Sequence, residues 1–227
     1  MLTVELHSHT EASGDCLMRP ADIVRTCRRK GIHRLAVTDH NTIAGALAVR
    51  ALAPELVIVS EEVMTTQGEL LAYFLQETVP AGLTPTETIA RLRAQGAAIS
   101  VSHPFDRLRH GAWQTPDLAA ILPLVDAIEV FNARCIYPED NARALAFAAE
   151  HGLRGTVGSD AHSHLELGRA VLRVEAAGMP AELIAGFAAG QRVTRLSSPL
   201  IHFTSRAAKI WKRLRRPAGY PESQGSE

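Results

Sequence analysis

Two histidines, His7 and His9, close an apolar run at 2–6, and Asp15 lies six residues beyond the second. If that run is a strand, side chains repeat every second residue and the two imidazoles share one side of the backbone. Two imidazoles with a carboxylate just beyond them begin a metal site. The same residue types recur downstream as Asp39-His40, Glu61-Glu62, His103, Glu129 with Asn132, and Asp160 with His162. Singly, each has an ordinary explanation: a hydrogen-bonded core histidine, a solvated glutamate pair, an aspartate helix cap. Their joint placement is what carries chemistry.

That placement depends on the elements. Apolar, β-rich runs at 3–6, 34–38, 56–60, 97–102, 126–131, 155–158 and 170–174 alternate with helical patterns, and 70–75 reads as an extra strand after a turn at Gln67-Gly68. The helices are expected from Pro20 to Gly31, over 42–52, from Pro85 to Gly96, and over 116–122, 139–151 and 180–189. About seven β–α units in series predict an α/β chain with a parallel sheet. At this length the leading solution is a closed or nearly closed TIM-like barrel, with an open doubly wound sheet as the alternative. Every residue named above then falls at the C-terminal end of a strand, and in a parallel barrel those ends form one rim, where active sites occur. Five of the ten histidines (His7, His9, His40, His103 and His162) meet there. His33, His110, His151 and His202 read as surface or packing residues, and His164, close to the rim, is left open.

Five histidines and several carboxylates exceed what one tetrahedral ion uses. The surplus implies two or three divalent ions sharing a carboxylate. Mixed imidazole and carboxylate donors suit zinc, manganese or iron. Clusters of this kind typically hydrolyse phosphate esters.

Composition narrows the setting. With 46% hydrophobic residues, 21% charged residues and zero formal net charge, nothing global steers the chain to nucleic acid or a membrane. No apolar run reaches spanning length and no basic leader precedes an apolar stretch, so no membrane partner and a cytoplasmic location are expected. Three widely spaced cysteines, Cys16, Cys27 and Cys135, fit a reducing compartment. The barrel is expected over 1–198. A basic amphipathic helix is expected over 199–216, with Ile210, Trp211 and Leu214 packed on the barrel or, alternatively, with its cations contacting phosphate-rich ligands or nucleic acid. A disordered tail is expected over 217–227. Oligomeric state is not readable.

Leu6-His7-Ser8-His9-Thr10, Val37-Thr38-Asp39-His40-Asn41, Glu62, Ser102-His103-Pro104, Glu129-Val130-Phe131-Asn132 and Gly158-Ser159-Asp160-Ala161-His162 together resemble the PHP (polymerase and histidinol phosphatase) superfamily, in order from about residue 1 to 175. The resemblance implies a single-domain, distorted (β/α)7 barrel with a trinuclear site in its mouth. Carried over by position, His7, His9, Glu62 and Asp160 hold one ion. Glu62, chosen over Glu61, bridges to a second ion held by His103. Asp15, His40 and His162 hold the third. Some relatives place a histidine at the strand that here ends near Phe131. This chain has Glu129, Asn132 and Cys135 there, which puts the second ion in question and leaves a two-metal enzyme open.

The implied activity is metal-dependent hydrolysis of a phosphate ester by in-line attack of a metal-bridging hydroxide. Asp160 or His162 is a candidate proton donor to the leaving group. Arg134 and then Arg107 are the candidate phosphate grips, with Arg19 also near the rim. Asp39 is expected to orient a ligand histidine. A small nucleotide or short oligonucleotide is the favoured substrate, with histidinol phosphate or another small phosphoester as the alternative. A metal-dependent amidohydrolase is a weaker reading, because Lys30, Lys209 and Lys212 are the only lysines and none is placed to be a carboxylated ligand. A non-catalytic PHP binding module is disfavoured by the filled ligand positions.

Overall fold

The computed structural model describes residues 1–109 and 111–215; His110, Arg216 and the expected tail at 217–227 lie outside the described residues. The elements are β1 (Leu2–Glu5), α1 (Pro20–Lys30), β2 (Arg34–Val37), α2 (Ala44–Leu52), β3 (Val57–Met64), β4 (Glu69–Tyr73), α3 (Pro85–Ala94), β5 (Ala98–Val101), α4 (Thr115–Ile121), β6 (Ala127–Asn132), α5 (Pro138–Glu150), β7 (Arg154–Gly158), β8 (Ala170–Val174), α6 (Pro180–Ala189), β9 (Gln191–Thr194) and α7 (Ile201–Arg215). A short 3₁₀ turn, Leu122–Leu124, follows α4.

Local chemistry sets the helix ends. Pro20 stands in the first turn of α1, Arg28, Arg29 and Lys30 lie in its last turn, and Gly31 caps it at φ 67°, in the left-handed region glycine enters at no steric cost. Thr84 and Glu87 form a reciprocal capping box at the start of α3.

One nine-stranded sheet runs in the order β7-β6-β5-β4-β3-β2-β1-β8-β9. Strands β1, β2 and β3 pair in parallel, as do β5, β6 and β7. The expected series of parallel β–α units is interrupted at β4, which pairs antiparallel with both β3 and β5. The reason is the Gln67-Gly68 turn, which makes β3 and β4 a hairpin and leaves no room for a crossover helix. Strand β8 is antiparallel to β1 as well.

The barrel closes at its mouth. Beyond β1, Ser8 forms a parallel bridge with Ala161, and His9 N donates to the Ala161 carbonyl. The start of β1 pairs instead with β8, so the sheet forks at Glu5. The Glu5 carboxylate fills the fork, accepting from the backbone N–H of His7, Ser159 and Gly168 and from the Ser159 hydroxyl.

A cluster inside the barrel unites Leu6, Ala36, Ile58, Leu71, Ala98, Ala127 and Leu172. Helix α6 packs against β5, β7 and β8 and adds Leu183 and Phe187, closing the end opposite the mouth. A second, larger cluster lies between the sheet and the outer helices. None of the described helices is long and apolar enough to cross a membrane.

Helix α7 departs from expectation. Its barrel side carries small and polar residues, Ser205 and Ala208, whereas Phe203, Ile210, Trp211 and Leu214 are exposed. The large apolar residues expected to pack on the barrel face solvent.

Candidate metal centre

Strand periodicity delivers the ligands. Along β3, Val59, Glu61 and Val63 face outward while Glu62 faces the mouth. The Val79 N–H donates to Glu61, whose carboxyl is pushed up to about 7 by burial. Glu62 and not Glu61 is therefore the glutamate of the cluster.

Four side chains surround one point. His7 Nε2 lies 3.2 Å from Glu62 Oε2 and 3.7 Å from Asp160 Oδ1; His9 Nε2 lies 3.4 Å and 3.2 Å from the same two atoms. His103 Nε2 meets the other Glu62 oxygen, Oε1, at 3.1 Å. Asp15 Oδ2 is 3.2 Å from His162 Nε2 and 3.7 Å from His40 Nε2. All eight expected ligand residues thus converge on the mouth. Among the described residues, three overlapping sets have donor atoms within 4.8 Å of one another: His7, His9 and Glu62; His9, His40 and His162; and His40, Glu62 and Glu69.

These residues fit metal ions. His7 Nε2, His9 Nε2, Asp15 Oδ1, Glu62 Oε2, Asp160 Oδ1 and His162 Nε2 are buried yet make no hydrogen bond. A buried polar atom without a partner is costly, and six of them on the residues of one cluster are the arrangement cations satisfy. Charge coupling agrees. Burial opposes protonation of His7, but Glu62, Asp160 and Glu129 outweigh it and hold its pKa well above the ordinary value. His40 is raised to about 10, Glu62 and Asp15 overcoming burial. His9, buried beside His162, falls to about 3. Against burial, His7 and His40 hold Glu62 well below the carboxylate range, and Arg109 and His7 do the same for Asp160.

Neighbours orient the ligands. Asp39 accepts from Thr10 N at 2.6 Å and from Ser13 Oγ at 2.9 Å, and Ser13 Oγ stands 3.1 Å from His9 Nδ1, so Asp39 acts on His9 through Ser13. Ser102 Oγ donates to Glu62 at 2.7 Å. Asp160 and Asn41 both take positive φ, 50° and 56°, so two of the three non-glycine left-handed residues among the described residues lie beside the cluster.

The arginines sort differently from expectation. The Arg107 guanidinium is bound to Asp140, 2.6 Å between Nη2 and Oδ1, and stacks on Tyr137 away from the cluster. Arg134 is buried, donating to Ser205 Oγ at 2.7 Å with Nε 3.5 Å from Glu166. Arg109 is the arginine at the centre, ion-paired with Asp160. Sequence spacing offered no sign of it, because a loop of irregular residues brings it back over the mouth. Glu69 was likewise missed. It opens β4 and reaches His103 and His40 at 3.5 Å and 3.7 Å. Arg19, the N-cap of α1, makes no side-chain contact with the cluster among the described residues. His164 lies against Thr26 of α1, outside the centre.

A cavity of about 490 Å³ opens from Asp15 and His162 towards α7 and is lined by Arg109, Arg134, His202, Phe203, Arg206 and Lys209, among others. His202, expected to be a packing residue, lines it, with Nε2 3.1 Å from the Arg134 carbonyl. Cys16, Cys27 and Cys135 are buried free thiols.

The PHP domain family matches residues 5–76 and the PHP-associated family matches residues 138–191. An uncharacterized protein of Methanocaldococcus jannaschii is 36% identical over 145 residues, covering 58% of this chain and 82% of the relative. Among solved structures, a two-domain protein from Bacteroides vulgatus containing a predicted PHP-like metal-dependent phosphoesterase superposes with a TM-score of 0.69 at 18% identity, over 86% of this chain and 65% of that one. The lesion-specific endonuclease EndoQ of Pyrococcus furiosus superposes with a TM-score of 0.56 at 16% identity, over 84% of this chain and 57% of that one.

Proposed function

The chain belongs to the PHP family, and from that premise we propose that it is a metal-dependent phosphoesterase whose substrate is a small nucleotide or a short oligonucleotide. One observation carries the reading. The buried, unpartnered atoms His7 Nε2, His9 Nε2, Glu62 Oε2 and Asp160 Oδ1 face one another, while Asp15 and His162 of the same cluster line a cavity that Arg109 and Arg134 also line. Donors for cations and donors for phosphate thus lie side by side.

His7, His9, Glu62 and Asp160 would hold one ion, with Glu62 reaching towards a second beside His103, and Asp15, His40 and His162 a third. Bound there, divalent zinc, manganese or iron ions supply an activated water and neutralise phosphoryl charge. The protein's own part is positioning. Arg109 and Arg134 place two permanently charged guanidiniums next to the cluster, where a phosphoryl oxygen accepts from them. Asp160, kept ionised by Arg109 and His7, is a ligand rather than a proton donor at neutral pH. If only two ions are held, His162, whose Nδ1 stands 2.8 Å from the Asp160 carbonyl, would present Nε2 as the proton donor to the leaving oxygen. Arg107, engaged with Asp140, has no part in gripping substrate.

The test is a phosphate-release screen. The chain, stripped by chelator and reloaded with manganese, zinc or iron, is assayed on nucleoside mono- and bisphosphates, short oligonucleotides and sugar phosphates. Metal-dependent release, greatest on a nucleotide or oligonucleotide, is expected. No release from any phosphoester by a chain that retains metal would overturn the reading; release from sugar phosphates alone would overturn its substrate part.

A further inference from the structure

Helix α7 has two faces that the metal centre does not explain equally. Its inner face is tied to the mouth: Ser205 Oγ accepts from Arg134, and Lys212 Nζ donates to the carbonyls of Glu11 and Ser13, in the loop that leads to Asp15. Its outer face is apolar. Phe203, Ile210 and Leu214 fall at i, i+7 and i+11, one stripe of a helix opposite Ser205 and Lys212, with Phe203 at the end where it also lines the cavity. They are 65%, 61% and 81% exposed, against 8% for Ser205. Contiguous exposed apolar side chains on one helix face mark contact sites.

Charge identifies the occupant. Residues 201–216 contain six cations and no acid. Arg206 and Lys209, on the flank of the stripe, make no ion pair with any other described residue. The outer surface is therefore an apolar stripe beside a cationic flank, the composition of a helix lying in an anionic lipid interface. A nucleic-acid backbone would engage the cations but leave the aliphatic side chains in water. A second copy would bring like charges together. The eleven residues 217–227 offer one large apolar side chain, Tyr220, too little to cover the stripe.

We propose that α7 docks this protein on anionic membrane surfaces, with Phe203, Ile210 and Leu214 entering the interface and Arg206 and Lys209 meeting lipid phosphates. Because Arg206 and Lys209 also line the cavity beside His162, docking holds the metal centre against the surface. The proposal departs from the expectation of no membrane partner, since net charge zero conceals a local concentration of cations.

The experiment is co-sedimentation of the intact chain with phosphatidylcholine vesicles with and without phosphatidylserine, read together with tryptophan emission. Trp113 is buried, so a blue shift reports Trp211. At least tenfold stronger partitioning to the anionic vesicles is expected, with a blue shift. The double variant Ile210→Ser/Leu214→Ser, on exposed positions, is expected to abolish both while circular dichroism and metal content stay unchanged. Arg206→Glu/Lys209→Glu is expected to weaken partitioning by roughly fivefold or more per charge. No partitioning, or equal partitioning to neutral vesicles, would overturn the proposal. So would a dimer in light scattering that the serine variant dissolves without any vesicle binding, or oligonucleotide binding that the glutamate variant alone removes.

Discussion

Glu129 Oε1 stands 3.1 Å from His7 Nδ1, on the side of the ring away from Glu62 and Asp160. The same glutamate accepts from His103 N through Oε2 at 2.9 Å. Glu129 therefore fixes two histidines of the cluster from behind: the ring of one and the backbone of the other. A carboxylate on one imidazole nitrogen sets the tautomer that leaves the other a donor to metal, and such partners are typically worth 10–100-fold in metal affinity. Glu129→Gln is expected to weaken metal binding by about that range in calorimetric titration, with folding intact by circular dichroism. Unchanged affinity would remove Glu129 from this role.

Arg109 pairs with Asp160 and feels Asp106, Glu62 and Glu69 as well, which keeps it charged despite burial. Two functions are separable. If Arg109 only neutralises the empty cluster, Arg109→Ala changes metal affinity and nothing else. If it grips the phosphoryl group, the variant loses turnover with metal content unchanged. The second outcome is expected, with kcat/KM down about a hundredfold, the typical cost of removing one transition-state donor. Arg109→Lys is expected to recover little, since one ammonium cannot reproduce a guanidinium fork.

The residues that gather at the mouth were legible in the sequence because strands place residues at their ends, and apolar runs reveal strands. His7, His9, His40, His103, Asp160 and His162 follow from that logic; Glu62 lies inside β3, and its choice over Glu61 rested on the family resemblance, with the alternation along β3 giving the physical reason. Arg109, Glu69 and the outer face of α7 follow from none of it. Arg109 is carried by a loop whose path no periodicity encodes. Glu69 reaches the centre because β4 folds back as a hairpin, so its neighbours lie across the strand pair and not along the chain. The apolar residues of α7 were expected to pack on the barrel, but the barrel contact uses Ser205, Ala208 and Lys212 instead.

Glu69 faces His103 and His40 beside Glu62. Burial first, and Glu62 second, raise its pKa. A second ion beside His103 would reverse that and recruit the carboxylate. Glu69→Gln is expected to lower metal stoichiometry by one ion per chain at limiting metal, measured by elemental analysis after gel filtration, while the ion among His7, His9, Glu62 and Asp160 persists. Full stoichiometry with unchanged affinity would show Glu69 to be a bystander.

Glu61 gives the clearest pH dependence, and it lies on the outward side of β3, away from the ligands. Burial raises its carboxyl from 4.5 to about 7, with one hydrogen bond from Val79 opposing. Between those values the folded chain keeps a proton that the unfolded chain releases. Its contribution to stability is thus present below about pH 4.5, declines as pH rises, and is lost above about pH 7. Glu61→Gln keeps the acceptor for Val79 and removes the buried charge. The variant is expected to match the parent near pH 4.5 and to exceed it above pH 7 by on the order of 3 kcal/mol, since each pKa unit between 4.5 and about 7 corresponds to about 1.4 kcal/mol. Glu5 is also raised to about 7 by burial, so part of the alkaline loss remains in the variant. Thermal melts of both chains at pH 5 and pH 8 measure this directly. An equal gain at both pH values would mean that packing, not the buried charge, is responsible.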